Sequence, residues 1–137
     1  MDQKYLALGA DLTASQKKKV LELLNLDEED KKRGYAGGMS ANRINAGLGT
    51  IISQVLEQVG REKIAGLYTT GGDTMVNVCY QLGVECIEVM DYVIPQTDVG
   101  RLVGKYDGLP VVGKGGLTGN DNTACDIVER LFKESAR

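Results

Sequence analysis

The chain has 137 residues, 42% of them hydrophobic, which is enough for a real core. A formal charge of −3 and a pI near 5.0 exclude a bulk nucleic-acid binder, which needs a clustered basic face. No histidine is present, so neither a Ser-His-Asp nor a Cys-His mechanism can be built from this chain.

Eighteen glycines, one Phe and no Trp favour a glycine-dependent α/β fold over an aromatic-rich β-barrel. Cys79, Cys86 and Cys125 lack the paired spacing of a zinc site and fit reduced, buried thiols in the cytoplasm. The first residues are polar and lead into no long apolar run. No secretory or membrane-spanning segment is expected, and no membrane partner.

Residues 5–8 read as a short strand and residues 9–12 as a turn. Thr13 and Gln16 have capping-box spacing ahead of a helix whose apolar side carries Val20, Leu21, Leu23 and Leu24. Lys17, Lys18 and Lys19 form its wet face. Residues 25–38 read as a surface connection free to move, because Asp27-Glu28-Glu29-Asp30 meets and partly neutralises Lys31-Lys32-Arg33 before three glycines; the less favoured alternative is an interaction tail.

Ser40 is expected to cap a long helix ending near Val59. Ile44, Leu48, Ile51, Ile52, Val55, Leu56 and Val59 recur at helical spacing and are assigned to the core. Gly47 and Gly49 each cost about 1 kcal/mol relative to Ala inside a helix. Close approach of the helix to a sheet would compensate. The alternative is a nucleotide base lying against this thin part of the helix. Gly60 ends the helix.

Residues 64–70 form an apolar, β-prone stretch that runs into Gly71-Gly72-Asp73-Thr74. The pattern is strand, tight turn, helix. Gly permits φ > 0 and close ligand approach, and Asp73 or Thr74 is placed to cap the helix over residues 75–82. A helix start presents unpaired N–H groups and partial positive charge, which suits a phosphate. The plainer alternative is a capped βα turn with no ligand. Gly83 is placed to stop the helix, and Cys79 reads as core.

Three more strands are expected at residues 87–90, 99–103 and 109–112. Their connections are too short for helical crossovers, so some neighbours must pair antiparallel. The expected fold is α/β, with a mixed, mainly parallel sheet and flanking helices in a single three-layer domain over residues 1–137. The last strand runs into Gly113-Lys114-Gly115-Gly116-Leu117-Thr118-Gly119-Asn120. Asp121 or Asn122 then caps a final helix with Ala124, Ile127, Val128, Leu131 and Phe132 on one face. Gly115, Gly116 and Gly119 can turn backbone N–H groups toward one anion, and Lys114 adds a mobile positive charge.

Gly108-Leu109-Pro110-Val111-Val112-Gly113-Lys114 is a false P-loop. Gly115 stands where Ser or Thr must bind magnesium, and Leu-Pro-Val-Val reads as strand. Thr118 likewise breaks a G-x-G-x-x-G reading. If neighbouring strands feed the two glycine turns, both open at one sheet edge, where open α/β sheets bind ligands. One turn would hold phosphates while the other closes over ribose or base.

Over residues 43–132 the chain resembles the C-terminal, nucleotide-binding domain of the four-carbon acid sugar kinases, which act on substrates such as erythronate, threonate and 3-oxo-tetronate. The matching features are Gly71-Gly72-Asp73-Thr74 after a strand, Gly100-Arg101-Leu102-Val103-Gly104, and Leu109-Pro110-Val111-Val112 leading into Lys114-Gly115-Gly116-Leu117-Thr118-Gly119. The resemblance implies ATP, with Mg²⁺, held by Gly71, Gly72, Asp73, Thr74 and Gly116. In the family the acid sugar and the catalytic base belong to an N-terminal domain, which is expected to be absent here. The implied function is the ATP-binding half of a sugar-acid kinase. It would act with a separate substrate-binding domain or partner chain in the cytoplasm, and a homo-oligomer is compatible with this. The alternatives are a non-catalytic nucleotide- or anion-binding module, or a structural remnant. Gly9-Ala10-Asp11 stands where the family has a Gly-Ser-rich turn, and the stretch between Leu24 and Arg43 is short.

Overall fold

A computed structural model describes residues 25–137. The strand expected at residues 5–8, the Thr13–Gln16 pair and the helix through Val20, Leu21, Leu23 and Leu24 lie outside the described residues. The chain divides into two compact units, with the boundary between Arg43 and Ile44.

In the first unit a helix, α1 (Leu26–Lys32), replaces most of the expected connection. Asn25 caps it by accepting from the Glu28 N–H at 3.4 Å. Asp27, Glu28 and Glu29 fill its first turn and Lys31 and Lys32 its last. The charge run that reads as self-neutralising is therefore ordered along the helix dipole. Its buried Asp30 reaches the start of the next helix, α2 (Met39–Val59). The Asp30 carboxylate accepts from the Ser40 N–H at 3.1 Å and from the Ser40 hydroxyl. The Gly38 N–H donates to Asp27 at 3.1 Å. Ser40 thus lies inside α2, and carboxylates from α1 do the capping expected of it. The Ser40 hydroxyl is the main cause holding the Asp30 carboxyl below its usual range.

In the second unit α2 runs to Gly60, whose N–H closes on Leu56 O and whose φ of 90° lets the chain leave the helix. A 3₁₀ turn (Arg61–Lys63) leads to β1 (Leu67–Thr70). Then come α3 (Gly72–Gln81), the hairpin of β2 (Val84–Ile94) and β3 (Thr97–Gly104), β4 (Pro110–Lys114) and α4 (Thr123–Ser135). The sheet order is β1-β4-β3-β2. The sheet is mixed, as expected, but its balance is not: β1–β4 is parallel, while β4–β3 and β3–β2 are antiparallel. Short connections joining β2, β3 and β4 impose this, since only antiparallel neighbours can be joined so tightly.

Apolar side chains pack on both faces of the sheet. Val111 of β4 and Leu102 of β3 join Val78 of α3, Leu82 just after that helix, and Leu56 of α2. Val112 and Val99, at positions of opposite parity on those strands, join Ile127 and Leu131 of α4. Alternation along a strand sends successive side chains to opposite faces, so α2 and α3 cover one face and α4 the other.

Two expected apolar faces are rotated. On α2, Leu56 and Gly49 are buried and Ile52 is half-buried, whereas Ile44, Leu48, Ile51, Val55 and Val59 are exposed. At 100° per residue, the packed positions 45, 49, 52 and 56 lie about a quarter turn from the exposed stripe. Gly49 decides this. A Cβ there would stand 2.7 Å from Gln81 Cγ and 2.9 Å from Asn77 O, so the close approach is to α3 and not to a sheet. On α4 the buried set is Thr123, Ile127, Leu131 and Glu134, while Val128 and Phe132 are exposed.

Candidate functional site

The parallel register aligns Thr70 with Lys114, so β1 and β4 end side by side. Beyond them the two glycine-rich turns leave the same end of the sheet and touch: the Gly71 N–H donates to Lys114 O at 2.9 Å.

Gly71 makes the first turn with φ 90° and ψ 130°, a conformation a side chain rarely adopts. Its carbonyl accepts from the Met75 N–H at 3.1 Å, so α3 begins at Gly72. Neither Asp73 nor Thr74 caps this helix, and no other side chain among the described residues does. Asp73 stands exposed in the first turn. The Thr74 hydroxyl donates instead to Asn45 Oδ1 at 2.9 Å, tying the turn to α2. Asp73 and Thr74 lie within one helical turn of the head, and the early N–H groups have no partner within the helix. Behind the turn, Met75 lies on Gly113, where a Cβ would meet the Met75 sulphur.

The second turn is held by its own residues. The Gly115 N–H donates to Gln96 O at 2.8 Å, and the Thr118 N–H and hydroxyl both reach Gly115 O, at 3.3 and 3.0 Å. The Lys114 ammonium folds back onto Gly115 O and Thr118 O, both at 2.7 Å. It is a strut within the loop, not the mobile charge expected from the sequence. Gly116 sits exposed at the turn with open space around it. Gly119, with φ 101°, lies against Thr123 at the head of α4. Asn120 and not Asp121 or Asn122 organises that head: its N–H donates to Thr123 Oγ1 at 2.8 Å and its Oδ1 accepts from the Asn122 N–H at 2.9 Å.

The structure therefore joins Gly71, Gly72, Lys114 and Gly115 directly, with Asp73 and Thr74 following on α3. Gly115 spends its N–H on Gln96, so the nest expected of the glycines does not include that group. Gln96 and Asn45 carry no sequence signal for this role, since both reach the site only through tertiary packing. Burial pushes the Cys79 thiol up, away from reactive thiolate. Among the described residues no helix is long and apolar enough to cross a membrane. No group of three or more His, Cys, Asp or Glu is placed to hold a metal ion among them.

Residues 5–124 match the family described as "Nucleotide-binding C-terminal domain". The chain belongs to that family. The domain is 45% identical over 93 residues to a D-erythronate kinase of Heliobacterium modesticaldum, covering 67% of this chain and 21% of that kinase. It is 36% identical over 104 residues to a D-threonate kinase of Salmonella typhimurium, covering 75% of this chain and 24% of that kinase. The domain thus spans about a fifth to a quarter of these relatives. Two crystal forms of a domain of unknown function from Bordetella bronchiseptica, a domain-swapped dimer with bound citrate, share its fold. One aligns with TM-score 0.62 at 27% identity over 72% of this chain and 24% of that one. The other aligns with TM-score 0.63 at 22% identity over 88% and 34%. Four-carbon acid sugar kinases are thus its kin in sequence.

Proposed function

We propose that this chain is the ATP-binding part of a cytoplasmic kinase for a four-carbon acid sugar, completed by a separate substrate-binding domain. The observation that carries this reading is the pairing of two glycine turns at the ends of adjacent parallel strands, linked by the Gly71–Lys114 bond. In this reading Gly71, Gly72 and Thr74 present the head of α3 to the phosphates. Gly116 and Gly119 close from the second loop, while Lys114 and Gly115 hold that loop in shape. Magnesium takes most of its ligands from phosphates and water, so the single carboxylate of Asp73 suits it. The kinase names of the relatives support the substrate class, and their greater length leaves room for a substrate-binding domain. The dimeric fold neighbours are compatible with a homo-oligomer. All three cysteines are free, in keeping with a reducing compartment.

Calorimetric titration with Mg-ATP and Mg-ADP tests the site. The chain is expected to bind both, and Asp73→Ala is expected to weaken Mg-ATP about tenfold or more, as loss of a charge-assisted contact does. No binding by the unaltered chain would overturn the site, and unchanged affinity in the variant would remove Asp73 from it. Catalysis is tested by adding the remaining part of a D-erythronate kinase. ATP-dependent phosphorylation of erythronate is expected from the mixture and from neither component alone.

A further inference from the structure

The Thr74 hydroxyl carries one proton, and that proton is already committed. It is donated to Asn45 Oδ1 at 2.9 Å, so what remains on Thr74 Oγ1 is an acceptor. This oxygen sits at the first glycine turn, where a Cβ on Gly71 would stand 3.8 Å from it. Asn45 is half-buried and held by the packing of α2 on α3. It lies one helical turn before Gly49, whose missing side chain admits Gln81 and Asn77 of α3. Asn77 in turn donates from Nδ2 to Asp73 O at 2.8 Å, which braces the first turn of α3.

The head of α3 thus combines two opposite preferences. Its early backbone N–H groups and its dipole favour an anion. The Asp73 carboxylate and the Thr74 oxygen only accept, so they disfavour a bare phosphate and favour a cation beside it. We propose that Asn45 is a positioning residue that makes this head select the magnesium complex of the nucleotide over the free nucleotide; the inference rests on the nucleotide reading given above. By taking the Thr74 proton, Asn45 Oδ1 leaves the hydroxyl oxygen to face magnesium or one of the waters that magnesium keeps. With its proton released, Thr74 would donate to a phosphate oxygen instead, and the head would accept ATP without metal. An outer partner that orients a ligating group typically changes metal affinity by about 10–100-fold, so the effect is large enough to measure.

The test is calorimetry with Mg-ATP, and with ATP in excess chelator, on the chain, on Asn45→Ala, on Asn45→Asp and on Thr74→Val. The unaltered chain should bind Mg-ATP about tenfold or more tighter than metal-free ATP. In Asn45→Ala the Thr74 proton is released. Mg-ATP should then weaken while metal-free ATP tightens, and the ratio should fall to about threefold or less. Aspartate can only accept, so Asn45→Asp should keep or raise the ratio. In a Thr74→Val background, Asn45→Ala should change neither affinity, because its effect runs through that hydroxyl. Loss of folded protein would lower both affinities alike and leave the ratio unmoved, so instability cannot imitate the result. The role of Asn45 is overturned by a ratio that survives Asn45→Ala, by one that Asn45→Asp loses, or by an unchanged effect of Asn45→Ala in the Thr74→Val background. Equal binding of the two ligands by the unaltered chain also overturns it, and all four results leave the nucleotide site standing. Failure to bind either ligand overturns both.

Discussion

Gly100 and Arg101 belong to a stretch that carries the family resemblance, and the structure gives both a scaffold role. A Cβ on Gly100 would stand 2.6 Å from Glu88 O on the neighbouring strand. Gly100→Ala should therefore lower stability by about 1–3 kcal/mol, as overpacking does, seen as a lower urea midpoint with unchanged slope. Arg101 donates to Gly108 O at 2.9 Å and to Glu134 O at 3.1 Å, pinning β3 to the turn before β4 and to the end of α4. Glu134, 1% exposed, also pairs with Arg130 at 2.9 Å and Arg137 at 3.1 Å. Arg130 is the main cause that holds the Glu134 carboxyl below its ordinary 4.5. A carboxyl lowered on folding contributes stability that is complete above its unfolded value and is lost as pH falls toward its folded one. The chain should thus lose stability as pH drops below 4.5. In Glu134→Gln that acid-side loss should be smaller, but stability at pH 7 should be lower, because three guanidinium groups lose their shared partner. Urea midpoints across pH would show both effects.

The helices show how far apolar spacing can be trusted. The run from Ile44 to Val59 marks a helix correctly, and the pattern also marks α3, α4 and the four strands among the described residues. It does not show which part of a broad apolar arc turns inward on α2. Leu56→Ala should cost about 2–5 kcal/mol, as deletions from a packed core do. Ile51→Ala, on the same helix but exposed, should stay within about 0.5 kcal/mol. Thermal unfolding of the two variants compares them directly, and similar losses would contradict the packing described for α2. At the helix heads, residue type was a poor guide. Ser40, Asp73, Thr74, Asp121 and Asn122 are all chemically able to cap, yet Asp30 and Asn120 supply the bonds and α3 goes without. A cap depends on where the preceding chain turns, and that is decided by tertiary contacts.

At the scale of the molecule, the two glycine turns meet because β4 inserts between β1 and β3. Without that insertion the turns after Thr70 and Lys114 would be unrelated loops. The whole-molecule prediction is therefore the complementation experiment: under the proposed function, phosphorylation of erythronate should need both this chain and the part of a D-erythronate kinase outside the matched region. The order of the glycine turns, the helical and strand periods and the absence of histidine are local properties of the chain. They were enough to indicate an α/β fold, to place both loops and to exclude histidine-based catalysis. The sheet order and pairing senses, the rotation of α2 about Gly49, and the folding back of Lys114 onto its own loop were decided only by the tertiary structure. Each depends on a partner distant in sequence, and hydrophobic periodicity records that a face is buried without recording what buries it.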